Sequence, residues 1–180
     1  MKRLKLGVLV GALLLSSSVY ARVDNLSYKI GAGSATLGGL TSTLGYASSG
    51  KDTNGTGLFL GMEMSFMGSA QERQDDKFNT YLDYELQTLD GWYLASFGFG
   101  ARYKIVHKVE LGAKVLAQGL HGAYTNVEFI GFGWGIDTKY SFSKNHGAVL
   151  GYTRATLTES SSGLLKTDAT TLNLSYIYSF

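Results

Sequence analysis

The 180-residue chain contains no cysteine and no proline, and its hydrophobic stretches are short. The absence of cysteine excludes disulfide bonds and cysteine-based metal sites. The absence of proline suits a protein made of β-strands, because proline removes a hydrogen-bond donor from a sheet. A membrane-spanning helix needs about 20 apolar residues, whereas the apolar run at residues 6–15 has ten. The composition therefore argues against helical membrane proteins and disulfide-rich scaffolds.

The N-terminal segment has the three parts of a signal peptide. Three basic residues precede the apolar run, and small residues lead to Val19-Tyr20-Ala21. This order predicts a signal peptide at residues 1–21, cleaved after Ala21. An uncleaved anchor is the alternative, and the short apolar run argues against it. The remaining residues, 22–180, carry 13 basic and 14 acidic side chains, a net charge of −1. They lack the basic surface expected of a nucleic-acid-binding protein.

The last nine residues alternate between apolar and mostly polar side chains. This period of two predicts a β-strand whose two faces meet different environments. A chain ending on the aromatic residue of such a strand resembles bacterial outer-membrane β-barrel proteins. The residues carrying this C-terminal assembly signature are Leu172, Leu174, Tyr176, Tyr178 and Phe180.

In architecture, the resemblance is to the small barrels typified by the OmpA transmembrane domain, OmpX and Ail, and the OmpW group. It implies an all-β fold, in which residues 22–180 form an eight-stranded antiparallel up-and-down transmembrane β-barrel. It also implies location in the bacterial outer membrane. The expected partners are outer-membrane lipid and, during biogenesis, the barrel assembly machinery. The protein is expected to be monomeric and to bind no nucleic acid.

Alternating patterns and turn residues predict eight strands, which places both chain ends on the periplasmic side. The predicted strands cover residues 39–48, 57–67, 77–88, 92–105, 108–119, 126–142, 147–158 and 169–180. Residues 22–38 have no assigned place. Four interpretations stay open for them: an extension of the first strand, a bend in the glycines, a separate short strand, or a segment inside the lumen.

Charged residues determine which face of each predicted strand points inward. Lys or Arg on the lipid face at mid-membrane is destabilising by about 2–4 kcal/mol. This penalty also directs Arg154 inward, and with it Leu150 and Tyr152. The resulting lumen has five acids and five bases, which predicts internal charge compensation, with Lys104 directly across from Glu110 and Asp137 near Arg154. The ten residues are Glu63, Asp83, Glu85, Arg102, Lys104, Glu110, Lys114, Asp137, Lys139 and Arg154.

Two functional classes follow from this interior. Bulky inward residues such as Phe59, Tyr81 and Leu116 favour a largely plugged lumen in a barrel with a structural or surface-interaction role. Loops 48–56 and 158–168 would then face outward. The alternative is a passive channel for small or apolar solutes, as in the OmpW group. Inward glycines support that alternative, because they leave space in the lumen: Gly98, Gly100, Gly131, Gly133 and Gly135.

An enzyme is the least favoured interpretation. Lipid-modifying barrel enzymes and omptin proteases need a histidine with a serine or acidic partner near the outer rim. His107 and His146 fall in predicted periplasmic turns, and His121 lies near Glu128 without a His-x-Ser motif. We therefore expect no catalytic, cofactor-binding or metal-binding residues. A lipid-modifying enzyme remains a minor alternative.

Overall fold

A computed structural model describes residues 26–39, 41–42, 52–66, 77–89, 91–122 and 128–180. The predicted signal peptide lies outside these residues, so its cleavage remains a prediction. Regular structure in the described part of the chain consists of β-strands. No helix among these residues is long and apolar enough to cross a membrane.

Eight long antiparallel strands form one closed sheet, which confirms the predicted fold class. Neighbouring strands pair in the order β1-β3-β4-β5-β6-β7-β8-β9, and β1 also pairs with β9. The short strand β2 pairs with the first residues of β9. The strands are β1 Leu26–Leu37, β2 Thr41–Ser42, β3 Thr53–Ser65, β4 Phe78–Leu89, β5 Trp92–Val106, β6 Val109–Gly122, β7 Glu128–Ser141, β8 His146–Glu159 and β9 Leu165–Ser179.

The first barrel strand is β1, so its predicted position at residues 39–48 is wrong. β1 pairs with β3 from Leu26 to Leu37 and with β9 from Ser27 to Leu37. Of the predicted segment, residues 40 and 43–48 lie outside the described residues. Both segments carry the same alternating pattern, and only the pairing with two neighbours distinguishes them. Residues 26–37, part of the segment that the sequence pattern left unassigned, thus supply the strand that closes the barrel.

The two ends of the barrel differ in their connections. At one end, which we call the turn end, His107–Lys108 and residues 142–145 form tight turns. Both termini of the sheet lie here, as predicted, because the Phe180 amide donates to the Leu26 carbonyl at 3.1 Å. The opposite end, which we call the loop end, carries the β8–β9 connection and a tight turn at Gly91, whose φ of 74° favours glycine.

The C-terminal signature residues lie on the outer face of β9. Leu172, Leu174 and Tyr176 are exposed there, and Phe180 makes edge-on contacts with Tyr28 of β1 and Tyr178. The ring centroids are 5.7 and 5.0 Å apart, respectively. The last aromatic residue therefore packs across the seam where the first and last strands meet.

Apolar side chains cover much of the outer face, as expected for strands that meet lipid. The outward parity predicted for β3, β5, β6 and β7 agrees with the exposed residues of these strands. They include Leu58, Leu60, Phe66, Tyr93, Phe97, Phe99, Tyr103, Ile105, Leu111, Val115, Phe132, Trp134, Ile136, Tyr140 and Phe142.

Strand β8 has the opposite parity to the predicted one. Leu150 is exposed, and the side chain of Arg154 is 54% exposed on the outer face. Arg154 pairs there with Asp168 of β9 at 3.3 Å, and Thr156 donates to the same carboxylate at 2.7 Å. The penalty for an outward arginine does not apply here, because the charge has a partner and polar neighbours. The prediction that Arg154, Leu150 and Tyr152 point inward is therefore wrong.

Candidate functional site

The lumen contains two groups of buried charges, which make it the candidate functional site. We call the first group the lysine cluster; it consists of Lys29, Asp83, Glu85 and Lys114. The Lys29 ammonium lies 2.5 Å from Asp83 Oδ1 and 2.7 Å from Glu85 Oε1. The Lys114 ammonium lies 2.6 Å from Asp83 Oδ2 and 2.8 Å from Glu85 Oε1. Each cation thus bridges both carboxylates, and the four charges cancel.

The second group, which we call the arginine cluster, lies nearer the turn end. Arg102 donates through Nη1 to Glu63 Oε1 and through Nε to Asp137 Oδ1, both at 2.5 Å. The Tyr81 hydroxyl donates to Asp137 Oδ2 at 2.6 Å, and the guanidinium lies 4.1 Å from the centre of the Tyr81 ring. Arg102 is only 1% exposed. A buried guanidinium needs such partners, because an uncompensated charge in a protein interior is strongly destabilising.

The ion pairs span intervening strands, and glycines make this possible. Gly112 of β6 is paired with both Arg102 of β5 and Asp137 of β7. A Cβ at Gly112 would lie 2.7 Å from Arg102 Cγ and 2.8 Å from Asp137 Oδ1. The same arrangement occurs at Gly61, where a Cβ would lie 2.9 Å from Lys29 Cε. Glycine on the middle strand therefore provides the space in which side chains of the two flanking strands form ion pairs.

Gly100 of β5 has the corresponding role beside Tyr81 and Lys114. It is paired with both residues, and a Cβ would lie 2.5 Å from Tyr81 Cζ and 2.9 Å from Lys114 Cβ. Gly100, one of the inward glycines noted in the sequence, thus accommodates neighbouring side chains and leaves no empty space at this level.

The structure brings together six of the ten charged residues identified from sequence, and it adds one. Glu63, Asp83, Glu85, Arg102, Lys114 and Asp137 form the two clusters. Three others, Lys104, Glu110 and Lys139, are half-buried nearer the turn end. Lys104 lies opposite Glu110, as predicted. Arg154 is outside the lumen, so its predicted proximity to Asp137 is also wrong.

Sequence reasoning missed Lys29. This lysine is 3% exposed and holds both carboxylates of the lysine cluster. It was missed because residues 22–38 had no assigned strand. A signal was present, since Lys29 has the opposite parity to Leu26, Tyr28 and Ile30, and the cost of a lipid-facing lysine directs it inward.

A layer of buried apolar side chains lies in the lumen towards the loop end. Trp92 and Leu165 pack against it. Its buried members are Ala35, Leu37, Leu89, Leu94, Leu116, Leu120, Phe129, Ala155, Leu157 and Ala169. Between this layer and the lysine cluster, Phe59 and polar side chains including Gln87 and Gln118 line a cavity of about 10 Å³. Such a volume is at the lower limit for a single water molecule.

The His121 pair is the arrangement closest to an enzymatic one. His121 lies opposite Glu128, with Nδ1 3.5 Å from Glu128 Oε1, and its side chain is 41% exposed. Within the described part of the chain, no group of three or more His, Cys, Asp or Glu side chains is placed to hold a metal ion.

Comparison with solved structures identifies the class of fold. Neisserial surface protein A is 16% identical; the match covers 86% of this chain and 97% of that protein, with a TM-score of 0.56. Ail of Yersinia pestis, solved with the heparin analogue sucrose octasulfate, is 14% identical, with coverages of 86% and 98% and a TM-score of 0.50. OprG of Pseudomonas aeruginosa is 13% identical, with coverages of 87% and 97% and a TM-score of 0.41.

The chain therefore has the fold of small eight-stranded outer-membrane β-barrel proteins. At these identities the likeness concerns the fold alone. No protein-family model matches the chain, and no curated protein matches its sequence.

Replacing Gly112 by alanine tests the space between Arg102 and Asp137. We expect Gly112→Ala to lower the free energy of unfolding by about 1–3 kcal/mol, because the new methyl group overlaps both side chains. Gly119→Ala on the same strand is the control, since its Cβ would meet only the Phe129 carbonyl at 3.9 Å. Urea unfolding in lipid vesicles measures both. Equal stabilities would contradict the spatial role of Gly112.

A pair of identical substitutions tests the two arginine positions. We expect Arg102→Met to lower the free energy of unfolding by about 3–5 kcal/mol, because it leaves Glu63 and Asp137 buried without their shared partner. Arg154→Met should change it by less than about 1 kcal/mol, because the ion pair with Asp168 is exposed. The same unfolding measurement applies. A larger loss for Arg154→Met would show that our assignment of the two faces is wrong.

Proposed function

We propose that this protein is a monomeric bacterial outer-membrane barrel with a structural or surface-interaction role and a largely plugged lumen. In this proposal the signal peptide directs export, and residues 22–180 insert with help from the barrel assembly machinery, which reads the C-terminal signature. The turn end faces the periplasm and the loop end faces the outside. No enzymatic activity is part of the proposal.

The observation that carries the proposal is the order in which layers of side chains occupy the lumen along the barrel axis. The arginine cluster, the lysine cluster, the polar level at Gln118 and the apolar layer follow one another from the turn end to the loop end. The interior of an eight-stranded barrel is just wide enough for side chains to fill. These levels leave little room for solutes to pass, which argues against the passive-channel alternative.

The loop end supports a role in surface interaction. In the β8–β9 connection, Ser161 donates to Glu159 Oε1 at 2.9 Å, and Ser162 donates to the other carboxylate oxygen. Gly163 has a φ of 67°, and Leu164 is half exposed beyond it. The connection thus presents hydroxyl groups and one apolar side chain on a hydrogen-bonded turn. The structure of Ail with a heparin analogue shows that a barrel of this fold is compatible with ligand binding.

Electrical recording distinguishes a plugged barrel from a channel. We expect no stable conductance from the folded protein in a planar bilayer, because the lumen is filled. The same result is expected for Lys114→Ala, since the apolar layer remains, and for Arg154→Ala on the outer face. Reproducible openings that Lys114→Ala alters and Arg154→Ala leaves unchanged would instead establish the lumen as a conducting path.

Cysteine labelling of intact cells tests the location and orientation. The chain has no native cysteine, so Ser161→Cys at the loop end and Ser143→Cys at the turn end each provide a unique thiol. A large polyethylene-glycol maleimide that does not cross the outer membrane should label Ser161→Cys only. Ser143→Cys should become reactive after membrane disruption. The reverse labelling pattern would overturn the proposed orientation. If neither variant is labelled before the membrane is disrupted, the proposed exposure of the loop end on the cell surface is overturned.

A further inference from the structure

The small cavity between the lysine cluster and the apolar layer is polar on several sides, and we call it the glutamine cavity. Its volume is about 10 Å³. Glu85 and Gln87 of β4, Ser96 of β5 and Gln118 of β6 contribute polar side chains to its lining, and two more come from β9. Every described lining residue lies within a strand, so the cavity belongs to the interior of the sheet.

Two glutamines dominate this cavity. Gln87 and Gln118 are 3% and 2% exposed. They flank β5 in the sheet register, where Gln87 lies opposite Leu94 and Gln118 lies opposite Ser96. The Gln118 amide nitrogen donates to Ser96 Oγ at 2.9 Å. The two side chains therefore approach the same small space from opposite sides of one strand.

Each glutamine has one amide atom without a hydrogen-bond partner among the described residues. These atoms are Gln87 Nε2, a donor, and Gln118 Oε1, an acceptor, and both are buried. They do not bond to each other, since neither has a protein partner. Buried polar atoms are nearly always satisfied by protein or by ordered water. The cavity thus presents an unsatisfied donor and an unsatisfied acceptor together.

This combination specifies the chemistry of the occupant. The occupant must accept a hydrogen bond from one amide and donate a hydrogen bond to the other. A metal cation does neither, and it would be repelled by the donor hydrogens of Gln87. The volume is close to the roughly 10–15 Å³ that one water molecule requires, so larger solutes do not fit. Water meets both conditions.

We propose that the glutamine cavity binds one structural water molecule, which accepts from Gln87 Nε2 and donates to Gln118 Oε1. The water joins β4 to β6 across β5. The ion pair between Lys114 and Asp83 makes the same crossing four residues nearer the turn end. Glu85 lines the cavity as well, so the water lies on the loop-end side of the lysine cluster. The site is independent of the surface-interaction role.

A crystal structure of the folded native barrel, at a resolution that shows ordered water, tests this site. We expect a density peak about 2.7–3.2 Å from both Gln87 Nε2 and Gln118 Oε1. The proposal is overturned if no peak lies there, or if the two amides bond directly to each other. A peak surrounded only by oxygen atoms at about 2.3–2.6 Å would identify a metal cation and would also overturn it.

The corresponding structure of Gln118→Met tests the bridging role. Methionine has a similar length but lacks the amide acceptor, so we expect the density peak to be lost. Asn79→Leu is the matched control. It removes another buried amide of the lumen, one that accepts from Ser65 Oγ at 2.6 Å outside the glutamine cavity, and it should keep the peak. A peak retained in Gln118→Met would contradict the proposed bridge.

A second variant approaches the water from the other side. Gln87→Met removes the donor, and we again expect the peak to be lost. Heat-dependent gel migration shows which variants fold, so either glutamine variant suffices if the other does not fold. Loss of the peak in a folded glutamine variant, with retention in Asn79→Leu, supports the proposal. If neither glutamine variant folds, the native structure decides whether the water is bound.

Discussion

The compensation of buried charge is the constraint on which the interior of this barrel depends. Arg102, Lys29 and Lys114 are buried in the lumen of the barrel, where an unpaired charge would strongly destabilise the fold. Their partners lie two strands away, so each pair must cross the strand between them. Gly112, Gly61 and Gly100 allow this crossing, because any side chain at these positions would overlap the charged or aromatic groups. Glycine thus accompanies the crossings of β3, β5 and β6, whereas the Arg102–Glu63 pair crosses β4, where the Tyr81 ring lies 4.1 Å from the guanidinium.

This constraint also gives the lumen a direction. Among the described residues, several lysines line the turn end, buried ion pairs follow, and apolar side chains lie towards the loop end. A cavity of about 160 Å³ lies at the turn end, whereas the cavity beyond the lysine cluster has a volume of about 10 Å³.

Much of the fold could be predicted from the sequence, because an outer face and a lumen of different polarity impose a period of two on every strand. Seven of the eight long strands were placed with shifts of a few residues at their ends. The inward position of Glu63, Asp83, Glu85, Arg102, Lys114 and Asp137 followed from the cost of placing a charge in lipid. The same rule failed for Arg154. The rule considers neither a partner on the neighbouring strand nor the distance of a residue from the middle of the membrane. Asp168 supplies that partner.

The sequence by itself determined the fold class, the number of strands and the face of most side chains, since these properties follow from local alternation and single-residue transfer costs. Only the tertiary structure decided which segment closes the barrel, because residues 26–37 and 39–48 share the same alternating pattern, and it is residues 26–37 that pair with both β3 and β9. Only the structure brought Lys29 to Asp83, and Arg102 to both Glu63 and Asp137. Such contacts join residues far apart in the chain, and they depend on the register and closure of the whole sheet.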